Sequence, residues 1–389
     1  MLRLMKRYLR RIDVVLIMLC VLCSALSVVA LVSLGYTQLG SNNKASVQLM
    51  ASLLGLMLAV VSSTVDYRAL AHAWPLHATV AWGLVLPTLF LHNVRAGFVT
   101  IGYDAGGTSN YSWYRVGGMT FQPAELAKIS FILTLALHLS RVRGRVNHPR
   151  HLLALLAHIA LPVLAIHQQG DDGTALVFLG IGLVMLYAGG LSHWLVGGVA
   201  LAGVLGGGAV LAFKPNLLKG YQFRRILAIF HPDDPALADV TYQQNKGAMA
   251  IGTGGLWGQG LFDSEPIFVP NAWNDFLFAY LAHVAGFVAA AAVVVLLLGV
   301  CLRTLRAARQ SRDTLGELIC TGVFGALLVQ CVINLGMNLQ MLPVIGVTLP
   351  FFSAGGSSVV MIYLCIGLVL SVGRTARSGR LDARREEIA

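Results

Sequence analysis

Charged residues are scarce in this chain. They make up 12% of its 389 residues, while 57% of the residues are apolar. A soluble globular protein has about 25% charged residues. This composition excludes an ordinary soluble enzyme, a disordered protein and a secreted disulfide scaffold. We therefore predict an all-α polytopic membrane protein, a single integral membrane domain over residues 1–389 with no room for a large soluble domain.

Metal-binding and nucleotide-binding motifs are absent from the sequence. The six cysteines and eleven histidines lack metal-ligand spacing. Cys20 and Cys23 form a CxxC inside an apolar run, where packing is a better interpretation than a redox role. The glycine-rich run Ala250–Gly260 lacks the Lys-Ser/Thr ending of a phosphate-binding loop. We expect no cofactor, and a divalent cation carried by substrate phosphates has no support in the sequence but stays open.

The net charge of +11 comes largely from four short basic blocks that separate long apolar runs. The blocks lie at Arg3–Arg11, Arg141–Arg150, Arg303–Arg312 and Arg374–Arg385. Short loops rich in Lys and Arg mark the cytoplasmic side of a membrane protein. The positive charge therefore indicates topology, and we expect no nucleic-acid partner.

The apolar runs predict about ten transmembrane helices, at residues 14–35, 46–66, 70–92, 123–140, 152–168, 174–190, 193–213, 276–302, 317–338 and 356–373. An even number of spans with the N-terminus inside places both termini and all four basic blocks in the cytoplasm. Two outer segments are long, residues 93–121 and residues 214–274, and the second lies between the seventh and eighth spans. Residues 374–389 form a cytoplasmic tail.

The second outer segment contains a run with helical amphipathicity. Leu217–Phe230 mixes apolar residues with Lys219, Arg224 and Arg225 at helical spacing. This pattern is typical of a helix that lies in the membrane interface. We expect membrane lipid to contact this helix.

Two ionisable residues lie inside the predicted fourth span. Glu125 and Lys128 are three residues apart, so they share one face of a helix and can neutralise each other. An ionisable side chain at membrane depth is costly and normally faces a cavity, a proton path or a substrate. A structural ion pair between helices is the alternative, and we favour a polar cavity.

Asp275 lies where the second outer segment meets the eighth span, and polarity changes abruptly there. Partial desolvation would raise the pKa of this carboxyl toward the range that a general base needs. A helix N-cap is an equally good interpretation from spacing alone. Leu349–Ser358 also interrupts an apolar region, and such broken backbone is tolerated only where protein or a watery cavity covers it.

Five segments together are similar to the SEDS family, the RodA-, FtsW- and SpoVE-like cell-wall glycosyltransferases. They are FQPAELAKI (Phe121–Ile129), QGDDGTALV (Gln169–Val177), YQQNKGAMAIGTGGLWGQGL (Tyr242–Leu261), PNAWNDFLFA (Pro270–Ala279) and NLGMNLQMLPVIGVTLPFFSAGGSS (Asn334–Ser358). Each motif is weak alone, but five in the family's order are specific. The resemblance covers nearly the whole chain.

The resemblance implies an enzyme that polymerises lipid II into glycan strands at the outer face of the bacterial cytoplasmic membrane. It also implies a class B penicillin-binding protein as partner and an inverting displacement. Asp275 matches the family's essential loop aspartate and would be the catalytic residue. The residues implied to bind substrate by their match to the family's motifs are Trp113, Gln122, Glu125, Lys128, Asp171, Ser353, Gly355 and Ser357, and Gly356 matches the same final motif.

We hypothesise that Asp275 takes the proton from the acceptor hydroxyl and that basic residues stabilise the departing pyrophosphate. The candidates for that second role are Lys128, Arg224, Arg225 and Lys246. A transporter of the lipid-linked precursor and a non-catalytic scaffold that activates a penicillin-binding protein are the alternatives. Departures from the family's pattern at Gly170, Asn271–Asn274, Ala282, His283 and Ala354 indicate a divergent member, and those around Asp275 keep the scaffold alternative open.

Overall fold

The computed structural model describes residues 12–104, 110–198, 201, 205, 220–231, 234–262 and 267–386. The helices that we label are α1 (Val14–Leu34), α2 (Asn43–Thr64), α3 (Tyr67–His72), α4 (Trp74–Val85), α5 (Pro87–Phe90), α6 (Pro123–Arg141), α7 (Pro149–Gln168), α8 (Asp172–Ala188), α9 (Gly220–Phe230), α10 (Ala238–Thr253), α11 (Leu277–Arg309), α12 (Thr314–Asn338) and α13 (Gly356–Glu386). Residues 193–198 are also helical. The strands are β1 (Val94–Ala96), β2 (Val99–Tyr103), β3 (Trp113–Val116) and β4 (Met119–Phe121).

Seven helices of the described residues are long and apolar enough to cross a membrane, namely α1, α2, α6, α7, α11, α12 and α13. Each coincides with a predicted span. The chain is therefore a mostly helical, multi-pass membrane protein, as the composition predicts.

The other three predicted spans differ from a single long helix. The third is divided into α3, α4 and α5, because Pro75 and Pro87 occupy the first turns of α4 and α5 and cannot continue a preceding helix. The sixth is α8, an apolar helix of 17 residues. The seventh, at 193–213, lies mostly outside the described residues. A count of ten helices therefore stays a prediction.

Three helices form the centre of the bundle. In α6, α12 and α13 the most apolar window is 72%, 67% and 67% buried, against 22% for the same measure in α7. A helix that is buried on most sides packs against protein, whereas a helix such as α7 faces lipid over much of its surface. The central position of α6 explains how it can carry Glu125 and Lys128, since neither side chain then contacts lipid.

The first outer segment is a small sheet rather than an irregular loop. Strands β1 to β4 form an antiparallel meander in sequence order, with Val94 opposite Ile101 and Ile101 opposite Tyr114. Its tight turns contain Gly97, Gly117 and Gly118, which have positive φ angles, and glycine adopts that conformation without steric cost. The sequence analysis treated residues 93–121 only as a loop, because strands of three to five residues give almost no periodic signal.

Helix α11 is broken at Gly286, which has φ 77° and ψ −177°. The glycine-rich segment pairs with the broken turn: Gln259 N–H donates to the carbonyl of His283 over 3.0 Å, and Phe287 N–H donates to the carbonyl of Gly255 over 2.9 Å. These bonds satisfy backbone groups that the break frees, as a membrane protein requires. The glycines of Ala250–Gly260 thus allow the backbone of this segment to approach the backbone of α11 closely.

Candidate active site at the sheet end of the bundle

Asp275 lies in the turn that precedes α11. Its main-chain oxygen accepts hydrogen bonds from the side-chain amides of Asn334, over 2.9 Å, and Asn338, over 3.0 Å. The N-cap of α11 is Phe276, with no side-chain capping bond. The alternative interpretation of Asp275 as a helix cap is therefore wrong, and its carboxylate is available for another role.

The Asp275 carboxyl is nearly enclosed by protein. The residue is 8% exposed, and its Oδ1 atom has no hydrogen-bond partner within the part of the chain that the structure describes. Burial raises the pKa of Asp275 to about 6, the nearby Arg225 opposes that rise, and the negative charge of Asp171 adds to it. A carboxyl with this pKa is mostly ionised at neutral pH and is a stronger base than an ordinary aspartate.

Asp171 lies beside this site and caps α8. Its Oδ1 accepts the main-chain N–H of Thr174 over 3.0 Å, while Oδ2 accepts Gln122 Nε2 and, over 3.3 Å, the Ser112 hydroxyl. Burial raises the pKa of Asp171 and these hydrogen bonds oppose the rise. With its oxygens already bonded within the protein, Asp171 is suited to holding the site together.

Glu125 and Lys128 form the ion pair that their spacing predicts. Lys128 Nζ lies 2.8 Å from Glu125 Oε1, and the residues are only 4% and 5% exposed. The pair lines a small cavity of about 20 Å³ between α6, α12 and α13, whose other walls are mostly apolar but include Gln330. The structure therefore shows the ion pair, and a polar cavity that receives substrate stays a prediction.

The Leu349–Ser358 segment is hydrogen-bonded to the turn that contains Asp275. Ser353 Oγ donates to the carbonyl of Asn274 over 2.6 Å, and Ala354 N–H donates to the carbonyl of Trp273 over 2.8 Å. The two segments are held together by backbone and hydroxyl groups, so Ser353 positions the turn. Gly355 and Ser357 are half-buried where α13 begins.

The remaining candidate residues from the sequence analysis differ in the groups with which they interact. Arg225 is close enough to affect the pKa of Asp275, whereas its neighbour Arg224 pairs with Asp239 over 2.5 Å. Lys246 lies over the ring of Tyr242, 5.9 Å from its centre. Of the basic loop candidates, the structure therefore brings only Arg225 to the carboxylate. Gly356 lies at the first turn of α13, and Trp113 begins β3 beside Ser112.

Several residues of the site were not singled out from the sequence. Asn334 and Asn338 lie one turn apart on α12, so their spacing inside an apolar run was a usable signal for a polar helix face. Lys44, at the start of α2, lies 5.4 Å from the ring centre of Trp273. No local pattern predicts that contact, because 229 residues separate the two in the sequence.

Comparison with known proteins places this architecture in a family. The family model FTSW_RODA_SPOVE, described as "Cell cycle protein", matches residues 11–378. The chain is 31% identical over 335 residues to a "Probable peptidoglycan glycosyltransferase FtsW" of Geobacter sp. (strain M18), covering 85% of this chain and 86% of the relative. It is 34% identical over 268 residues to the "Peptidoglycan glycosyltransferase MrdB" of Escherichia coli (strain K12), covering 67% and 70%.

Solved structures agree with this relationship. A chain from a structure titled "Structural coordination of polymerization and crosslinking by a peptidoglycan synthase complex" aligns with a TM-score of 0.75 and 29% identity, covering 94% of this chain and 98% of that one. The rod shape determining protein RodA of Thermus thermophilus aligns with a TM-score of 0.63 and 26% identity, covering 94% and 97%. From the family match across nearly its whole length, the chain belongs to the FtsW/RodA/SpoVE family of cell cycle proteins.

Proposed function

We propose that the protein is a peptidoglycan glycosyltransferase that polymerises lipid II, with Asp275 as general base. Relatives that carry the name peptidoglycan glycosyltransferase and match most of this chain support the activity. The observation that carries the assignment of the base is the buried Asp275 carboxyl, with one oxygen unpaired among the described residues and a pKa of about 6. Its place, just before a membrane-spanning helix, suits a substrate with a lipid tail and polar sugars.

The reaction joins the acceptor sugar hydroxyl to the anomeric carbon of the donor. Asp275 accepts the hydroxyl proton as the new carbon–oxygen bond forms, and the lipid pyrophosphate leaves with the electrons of the broken bond. A single displacement of this kind inverts the anomeric centre and needs one carboxylate base and no covalent intermediate. The ionised form of Asp275 is therefore the active form.

The pyrophosphate leaves as an anion, and cations near the base would stabilise its charge. Arg225 is the cation that acts on Asp275 in this structure. Lys128 is held by Glu125 over 2.8 Å, so it contributes to an anion site as half of a neutral pair. We do not assign Arg224 and Lys246 to the pyrophosphate site, because Arg224 pairs with Asp239 and Lys246 lies over the ring of Tyr242.

We further propose that the protein works with a class B penicillin-binding protein in the bacterial cytoplasmic membrane, with both termini in the cytoplasm. A similar chain occurs in a structure whose title names a peptidoglycan synthase complex that coordinates polymerisation and crosslinking. The four basic blocks, which flank long apolar runs of the sequence, support the orientation. The seven long apolar helices support insertion in the membrane, and the partner supplies the crosslinking step.

The test uses the purified full chain with its class B partner and labelled lipid II. Wild type should form polymer, and Asp275→Asn should lower the rate by roughly 10²–10⁴-fold, because it keeps size and polarity but cannot accept the proton. Asp275→Glu should retain some activity. Asp66→Asn is a matched control, since Asp66 is an exposed cap of α3.

Three outcomes would contradict the proposal. A nearly normal Asp275→Asn enzyme would move the base role to another carboxylate. Flipping of lipid II across vesicles without polymer would make the protein a transporter. An inactive wild type that still binds and stimulates its partner would make it a scaffold.

A further inference from the structure

The sheet of strands β1 to β4 has two chemically different faces. Arg95 pairs with Thr100, Thr100 with Arg115, and Arg115 with Thr120 across the four strands. Directly paired residues lie on the same face of a sheet. One face therefore carries an uninterrupted row of two arginines and two threonines, which we call the arginine face. The rows on either side, on the opposite face, contain Val94, Ile101, Tyr114, Phe121, Ala96, Val99, Val116 and Met119.

The bundle covers part of the apolar face. Tyr114, on that face, donates its hydroxyl to the carbonyl of Leu84 in α4 over 3.0 Å. Ile101 and Phe121 in the same row are half-buried, whereas Val94 and Met119 are exposed. Contact with the bundle does not account for the row of arginines on the other side, where both Arg95 and Arg115 are exposed.

Neither arginine is neutralised by an acid within the described ranges. Arg95 donates to the carbonyl of Gly97 over 3.3 Å, and Arg115 donates to the Tyr103 hydroxyl over 3.4 Å. The Arg115 guanidinium also lies 5.1 Å from the ring centre of Tyr103. A guanidinium has five N–H groups, so each arginine keeps donors for a ligand.

The two arginines border a shared open depression of about 410 Å³. Its lining includes Phe98, Thr100 and Gly117 and contains no acidic side chain among the described residues. The arginine Cα atoms are two strand spacings apart, about 10 Å, a separation that two long side chains can close around one small anion. Paired guanidinium groups with a hydroxyl between them suit the tetrahedral oxygens of a phosphate.

An exposed aromatic side chain in the lining of the depression indicates where that phosphate comes from. Phe98 is 77% exposed at the turn between β1 and β2, and Gly117 N–H donates to the Phe98 carbonyl over 3.3 Å, which joins this turn to the one between β3 and β4. Aromatic and apolar side chains beside arginines are typical of protein surfaces that enter the lipid headgroup layer.

The connections of the sheet keep it near the bilayer. Strand β1 begins four residues after α5 ends, and β4 ends two residues before α6 begins. Strands of at most five residues extend no more than about 17 Å. We propose that the arginine face binds the phosphate of an anionic phospholipid at the membrane surface, with Phe98 among the headgroups. The proposal does not depend on the proposed reaction.

The first experiment measures phosphatidylglycerol binding to the full chain by native mass spectrometry, with phosphatidylcholine as the neutral reference. Arg95→Gln with Arg115→Gln should weaken binding at one site by about 30-fold, from a five- to sixfold loss for each arginine at a membrane surface. The double lysine variant keeps both charges and should stay within about threefold of wild type. Lys44→Gln removes an exposed cation elsewhere at this end of the bundle and should leave that site unchanged.

The second experiment places a spin label at Phe98→Cys in bilayers of phosphatidylcholine with and without phosphatidylglycerol. All six native cysteines are buried, so labelling should be specific. Phosphatidylglycerol should increase the exposure of the label to oxygen dissolved in the bilayer, and the double glutamine variant should abolish that increase.

Unchanged phosphatidylglycerol affinity in the double glutamine variant would overturn the proposal. A loss of affinity for undecaprenyl pyrophosphate alone would overturn it in favour of the lipid-linked substrate. A loss of affinity only for the penicillin-binding partner would overturn it in favour of an acidic protein surface.

Discussion

The side-chain amide of Asn334 donates to the main-chain oxygen of Asp275 over 2.9 Å and to the main-chain oxygen of Val347 over 2.7 Å. One fully buried side chain on α12 therefore joins the turn that carries the proposed base to the segment that follows α12. The position of the base depends on a helix that contributes no group to the reaction itself.

We expect Asn334→Leu to lower activity even though Asp275 is intact. The substitution leaves the Val347 carbonyl oxygen without its donor, which costs about 1–3 kcal/mol, while the Asp275 carbonyl keeps only its bond from Asn338. Thermal unfolding of the purified protein and lipid II polymerisation measure the two effects. Asn245→Ala, at an exposed position of α10, is the control. Wild-type activity in Asn334→Leu would show that Asp275 holds its position without this contact.

Polymerisation should increase as pH rises through about 6, because the base acts in its ionised form and burial raises the pKa of Asp275 to about 6. Initial rates between pH 5 and pH 8 measure this dependence, with the partner complex verified at each pH. Asp275→Asn should have a low rate that lacks this rise. A wild-type rate that is flat from pH 5 to pH 7 would contradict the assignment.

The same pKa predicts an effect on stability. The folded protein holds the Asp275 proton up to about pH 6, while an unfolded chain releases it near pH 4, so this group destabilises the folded state increasingly as pH rises through that window. Above pH 6 the full penalty is present, on the order of 3 kcal/mol. Asp275→Asn should therefore melt at a higher temperature than wild type at pH 7.5, and at a similar temperature at pH 4.

Breaking the Glu125–Lys128 pair should destabilise the protein. Lys128→Met leaves a buried carboxylate without its partner, which costs roughly 3–5 kcal/mol, and should abolish or severely reduce polymerisation. The double variant Glu125→Gln with Lys128→Met removes both charges and should recover much of the melting temperature. Recovery of stability without recovery of activity would identify a functional role for the pair. Full activity in Lys128→Met would exclude both roles.

Cysteine accessibility should place positions 104 and 239 outside and positions 145, 309 and 380 inside. Single cysteines introduced at these sites are treated with a membrane-impermeant reagent in intact cells and in inverted vesicles. The native cysteines are buried, so the background should be low. Labelling of position 239 from the cytoplasm would overturn the predicted orientation.

Much of the bundle could be predicted from composition and charge, because each long apolar run can satisfy its backbone only as a helix. The division of the third span was signalled by Pro75 and Pro87, but hydropathy alone does not register a break between apolar helices. The sheet could not be predicted, because its strands are too short to give a periodic pattern of apolar residues. Asp263 and Glu265, two acids of the second outer segment, lie outside the described residues.

The site was predictable in its parts and not in its arrangement. The spacing of Glu125 and Lys128 predicts their contact, because both lie on one helix. The contacts of Asp275 with Asn334 and Asn338 join segments 59 and 63 residues apart, and no local pattern specifies such pairs. Arg224 and Arg225 are equivalent in sequence, yet α9 directs one toward Asp239 and brings the other near Asp275.

The break at Gly286 separates the proposed base from the rest of α11. A Cβ atom at this position would come within 2.4 Å of the Leu256 carbonyl oxygen and the Gly258 nitrogen, so the glycine-rich segment and the short first part of α11 form one tightly joined unit. Phe287 and Val288 are also bonded to this unit through the carbonyls of Gly255 and Leu256, so we expect a change in bilayer thickness to tilt only the part of α11 that follows Val288. The position of Asp275 in the site would then be the same in membranes of different thickness. The enzyme could stay active when the lipid composition changes, with no rearrangement of its active site.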